Sequence, residues 1–177
     1  MSVTALIVGD SLLRPLPDNP KYSCKFLPGA DTLTISERIL SGYFDQDLAA
    51  VSLIIVVVGT NDISLSLPWK VAKRVLSLGL LFQARKRGAK VIIASILPRP
   101  QDNGLYSLAI KQANQLLEPL CVSSDITFLR INNPFLSHGE PRVDYFLADG
   151  LHLSGRGAQA LYRGLLSAID RHIKLEA

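Results

Sequence analysis

Six consecutive apolar residues at positions 53–58, LIIVVV, constrain this chain more than any other feature. A strand with one face in water would alternate apolar and polar residues, whereas this run offers no polar residue to solvent on either side. Its β-branched side chains favour extended backbone over helix. At six residues it is far too short to cross a bilayer, which takes roughly 20. The expectation is therefore a central strand of a parallel sheet, covered on both faces.

Four other stretches read as strands: 3–8, closed by Gly9; a weaker run at 23–27, stopped by Pro28-Gly29; KVIIAS at 90–95; and 126–129. Helical patterns lie between and after them. In TLTISERIL, Thr34 and Glu37 have capping-box spacing, which predicts a helix over 31–42. Val71, Val75, Leu78 and Phe82 recur at helical spacing ahead of ARKRG, a basic close followed by glycine. Leu105, Leu108, Ala109, Gln112, Ala113, Leu116, Leu117 and Leu120 trace one helical face with a single polar interruption. A last helix carries Ala158, Leu161, Tyr162, Leu165, Leu166, Ile169 and Ile173 on one stripe. Strand and helix alternating about five times predicts an α/β fold: a three-layer α/β/α sandwich around a five-stranded parallel sheet. With no repeat and no linker, residues 1–177 read as one domain, which at this length buries about two-thirds of its unfolded surface.

Composition removes several function classes. At 48% hydrophobic and 19% charged residues the chain is not a disordered one. The net charge of +4 is mild, and the basic residues are scattered apart from RKRGAK at 85–90, so no stripe suited to nucleic acid is present. That RKR cluster reads as a solvated helix end. Cys24 and Cys121 are far apart, without a CxxC, and read as buried small apolar residues. His138 and His172 are expected to face solvent. The opening residues lack the basic flank of a signal peptide, so a cytoplasmic or intracellular location is expected.

In an open parallel sheet, ligands bind beyond the carboxyl ends of the strands. The loops at that edge deliver Ser11 after the first strand, Gly29 after the second, Asn61 and Asp62 after the third, and Asp149 and His152 before the last helix. Two proline-rich loops, RPLPDNP and PRPQDNG, follow the first and fourth strands. Taken singly these residues have plain structural readings: Ser11 and Asn61 as helix caps, Gly29 as a turn glycine, Asp149 as an Asx-turn residue. Together they supply a hydroxyl nucleophile, an imidazole base to activate it, a carboxylate to orient that base, and donors for a developing oxyanion.

In this arrangement the chain resembles the SGNH (GDSL) hydrolases, on "GDSL" at 9–12, Gly29 of "LPGA", "GTND" at 59–62 and "DGLHLSGRG" at 149–157. Within that family it is most similar to the compact esterase domains of retrotransposon first open reading frames. The resemblance implies a flavodoxin-like sandwich and an esterase that works without a cofactor. It implies Ser11 as nucleophile, Asp149 and His152 as acid and base, and the Ser11 amide, the Gly29 amide and the Asn61 side chain as oxyanion donors. Asp10 and Asp62 are expected to brace Ser11 and Asn61 through backbone amides, a metal site there being the lesser alternative. Pro15 and Pro17 should cut the helix after Ser11 to about one turn. The expected substrate is a small-molecule short-chain ester, first an acetyl ester. Nucleic-acid or membrane contact is expected only for a chain that is part of a larger retroelement protein. The alternatives are a catalytically silent binding module for an acylated glycan, a lipid surface or a protein partner, and a metal-dependent phosphoesterase.

Overall fold

The computed structural model describes residues 3–177. Its main sheet has five strands, β1 (Ala5–Gly9), β2 (Tyr22–Phe26), β3 (Leu53–Val57), β4 (Lys90–Ala94) and β5 (Thr127–Leu129). All pair in parallel, in the order β2-β1-β3-β4-β5. Ile55 lies opposite Ile7 on one side and Ile92 on the other. The chain runs outward from β1 to β2, then returns to lay β3 on the opposite side of β1. The strand order thus reverses between β1 and β3, and a crevice opens at such a reversal because the flanking loops diverge there.

The helices are α1 (Thr32–Leu40), the short α2 (Asp45–Leu48) and α3 (Thr60–Ile63), α4 (Pro68–Arg85), α5 (Ser107–Ser123) and α6 (Gly155–Glu176). A two-residue pair, β6 (Leu136–Ser137) and β7 (Glu140–Pro141), forms a small hairpin between β5 and α6. The uniform hydrophobicity of the strands follows from two cores. Leu6, Val8, Ile54, Val56 and Ile93 pack beneath α1, α4 and α5. Ala5, Ile7, Leu53, Ile55 and Ile92 turn to the other face, under α6 and the segment containing Phe135 and Phe146. This is the α/β/α sandwich that the alternation predicts.

Several sequence expectations need correction. The cap of α1 is Asp31, whose carboxylate accepts from the Thr34 amide at 2.9 Å, so Thr34 is inside the helix rather than its cap. The buried stripe of α5 is Ile110, Ala113, Leu117 and Cys121, while Leu105, Leu108 and Leu116 are exposed. Ala113 and Leu117 lie on the expected face, but that face extends too far toward solvent at its leucines. His172 is buried on α6 with Leu161, Leu165 and Ile169, its Nε2 within 2.9 Å of Ser52 Oγ. Burial lowers its pKa, because the charged form loses water. Cys24 is half-buried on β2, whereas Cys121 is fully covered. In the RKR cluster, Arg85 pairs with Asp45 on the surface.

Candidate active site

Ser11 is placed by β1 and by what stops the chain behind it. A Cβ at Gly9 would lie 2.2 Å from the Val57 carbonyl of β3, so only glycine lets the strand pass that close. Asp10 then caps a single 3-10 turn over Ser11–Leu13, its Oδ1 accepting from the Leu12 amide at 3.0 Å. Leu12 and Leu13 are buried and pin the turn to the sheet. The cap is therefore Asp10, and the Ser11 side chain is left free for something else. Its Oγ lies 3.1 Å from His152 Nε2.

His152 comes from a tight turn between β7 and α6. The Gly150 amide donates to the Leu147 carbonyl, and the Leu147 amide to the His152 carbonyl. Asp149 locks the inside of the turn: Oδ1 accepts from the amides of Leu151 at 2.9 Å and His152 at 3.0 Å, and Oδ2 lies 2.5 Å from His152 Nδ1. The bond to His152, backed by the two amides, holds the Asp149 carboxyl below the usual range. An ionised carboxylate only accepts, so Nδ1 carries the ring proton and Nε2 presents its lone pair to Ser11. Both side chains of the pair stay more than 40% exposed, so the site opens broadly to solvent.

Gly29 and Asn61 arrive from the loops on either side of β1. Gly29 has φ +69°, and a Cβ there would meet nothing within 4 Å. Asn61 sits in α3 directly after Gly59, whose φ of +114° turns the chain sharply off β3. Asn61 Nδ2 donates to the Ala30 carbonyl at 2.9 Å, tying the two loops together. That bond uses one of two amide hydrogens and leaves the other available. Asp62 accepts from Thr32 through both the amide (2.9 Å) and the hydroxyl (2.6 Å), so it fixes the loop of Gly29 rather than Asn61 alone. Burial raises its pKa. Asp10 is more extreme: burial pushes its carboxyl from 3.8 to about 6, and Oδ2 has no hydrogen-bond partner. Among the described residues no group of three or more His, Cys, Asp or Glu side chains could hold a metal ion.

Two residues that sequence reasoning passed over complete the frame. Arg99, 8% exposed, donates from Nη1 to the Thr60 carbonyl at 2.8 Å, and from Nε and Nη2 to Gln101 Oε1 at 2.8 and 2.6 Å. Its guanidinium lies 4.3 Å from the centre of the Tyr106 ring. The Gln101 amide in turn donates to the Gly150 carbonyl at 2.9 Å. The PRPQDNG loop thus straps the turn bearing Asn61 to the turn bearing Asp149 and His152. The available signal was an arginine set between two prolines at the functional edge of the sheet.

Ser, His and Asp side chains in hydrogen-bonded series at the crevice of a parallel α/β sheet are an arrangement that serine hydrolases share. The sequence profile of the GDSL-like lipase/acylhydrolase family matches residues 19–160. The chain belongs to that family. The matched span starts after Ser11, so the GDSL block at 9–12 stands on the local sequence and the geometry above. The fold is similar to that of a GDSL-like lipase from Bacteroides thetaiotaomicron (TM-score 0.81, 18% identity, covering 97% of this chain and 89% of the other). It is also similar to a lipase/acylhydrolase from Enterococcus faecalis (0.75, 14%, 96% and 97%). A carbohydrate acetylesterase from Sinorhizobium meliloti shares it too (0.70, 18%, 98% and 99%). No curated protein matches the sequence.

Proposed function

We propose that the protein is a serine esterase that hydrolyses short acyl esters, acetyl esters first, through an acyl-enzyme on Ser11. The observation that carries this reading is the series Ser11 Oγ, His152 Nε2 at 3.1 Å, and His152 Nδ1 with Asp149 at 2.5 Å. His152 takes the Ser11 proton as the oxygen attacks the ester carbonyl, and Asp149 stabilises the imidazolium so formed. The oxyanion is received by the Ser11 amide, the Gly29 amide and the free hydrogen of Asn61. His152 protonates the departing alkoxide, then activates the water that releases the acid. The acetyl preference rests on the open, shallow setting of the pair and on the acetylesterase among the similar folds.

Hydrolysis of a chromogenic acetyl ester tests this. Ser11→Ala is expected to lower kcat/KM by about 10⁴-fold or more with the circular dichroism spectrum unchanged. A fluorophosphonate probe should label the wild-type chain and not that variant, since only an activated serine reacts. An unlabelled wild-type chain without turnover would mark the domain as a silent binding module.

A further inference from the structure

Large apolar side chains stand exposed beside the catalytic loops with no partner in the fold. Leu33 is 64% exposed, Leu65 71%, Leu67 58% and Trp69 47%. They come from two segments that the site itself fastens together. Leu33 follows Thr32, which is bonded to Asp62, and the Leu65 amide donates to the Asp62 carbonyl. Leu67 caps α4, Trp69 lies in its first turn, and Arg74 reaches back to Ser66 Oγ at 2.7 Å. None of this is the surplus of a helix packing face. The buried stripe of α4 is Val71, Val75, Leu78 and Phe82, and Trp69 points away from it.

Basic residues outnumber acids around these side chains: Lys70, Lys73 and Arg74 on the early turns of α4, against Asp31 and Glu37 at and on α1. Lys70 and Lys73 hold their ammonium groups 5.5 and 5.3 Å from the centre of the Trp69 ring. Asp62 is buried on Thr32, while Asp31 caps α1 and keeps its charge, held below the usual carboxylate range by its bonds to Thr34. Exposed leucines, one tryptophan and lysines that can lift their heads clear of an apolar surface suit a bilayer interface with anionic headgroups. The geometry points to this patch as a docking surface for an anionic phospholipid membrane. Leu33 lies four residues beyond Gly29, and Leu65 four beyond Asn61, so docking sets the mouth of the site against the lipid. Resting on the esterase reading, the substrate class becomes a short acyl ester carried by a lipid rather than one free in solution.

Trp69 is the chain's single tryptophan, so its emission reports on this face alone. The full chain is titrated with vesicles of phosphatidylcholine, with and without phosphatidylserine. A blue shift and protection from acrylamide are expected with phosphatidylserine and not with phosphatidylcholine alone. Lys70→Ala with Lys73→Ala should weaken binding about 30-fold, roughly fivefold for each basic residue. Leu65→Ser with Leu67→Ser should abolish co-sedimentation while hydrolysis of a water-soluble acetyl ester is unchanged. The proposal is overturned by unshifted emission, by vesicle binding that the leucine variant retains, or by a dimer of this chain that buries Trp69 and ignores vesicles. A wild-type chain that docks but leaves the soluble ester intact would sink the esterase reading and leave the docking surface standing.

Discussion

Asp10 links stability and catalysis within one carboxyl group. Its folded pKa is about 6 against an ordinary 3.8, so folding favours the protonated form, and its contribution to stability falls as pH rises between those values. Above that window the group is ionised at a cost of about 3 kcal/mol. Asp10→Asn keeps an oxygen for the Leu12 amide and removes the charge. It is expected to gain up to about 3 kcal/mol at neutral pH and little near the bottom of the window, as read by urea denaturation across pH. The same carboxyl caps the turn that presents Ser11, through the Leu12 amide. Because the variant keeps that acceptor, its kcat on an acetyl ester is expected to stay close to that of the wild type, as read by steady-state hydrolysis. Asn61→Ala is expected to lower kcat about 100-fold or more with little change in KM, the signature of a donor used in the transition state. At this scale the sequence was readable where residues share one edge of the sheet: Ser11, His152 and Asp149 form a hydrogen-bonded series, and Asn61 bonds to the loop of Gly29. Arg99 and His172 were hidden because their surroundings are made by residues 39 and 120 positions away, which no local pattern carries.

Among the elements, the loop after β4 carries the sharpest prediction. Arg99→Met breaks the bond to Thr60, and Gln101→Ala removes the acceptor that anchors two guanidinium nitrogens. Both should lower kcat more than tenfold while KM for a small acetyl ester moves little, and Arg99→Lys should recover only part, because an ammonium cannot span both acceptors. A merely structural role would instead appear as a lower melting temperature at unchanged kcat. Gly150→Ala belongs to the same strap: with φ +67° and a Cβ 2.6 Å from the Gln101 nitrogen, it must shift the turn of Asp149 and His152. The long elements were legible because burial on both faces of a strand writes an unbroken apolar run, and burial of one face of a helix writes a period of about 3.6 residues. The β6–β7 hairpin and the 3-10 turns have no such period. The stripe of α5 was read too broadly because exposed Leu108 and Leu116 fall beside buried Ala113 and Leu117 in the helical repeat.

As a whole molecule the protein rests on one sheet with two separate cores, and α6 covers most of the second. Deleting residues 155–177 uncovers Ile7, Leu53 and Ile55 together, and the truncated chain is expected to show no cooperative thermal transition by circular dichroism. Overall architecture was the most legible level, since alternating strands and helices admit few arrangements. The series of Ser11 and His152 spans 141 residues, from the first strand to the turn before the last helix. On the proposed mechanism, Ser11 emerges early in synthesis and waits, with His152 still to be translated. Ester hydrolysis on that mechanism can begin only when α6 has left the ribosome and closed the sheet, which makes turnover itself a timer for completed folding of the nascent chain.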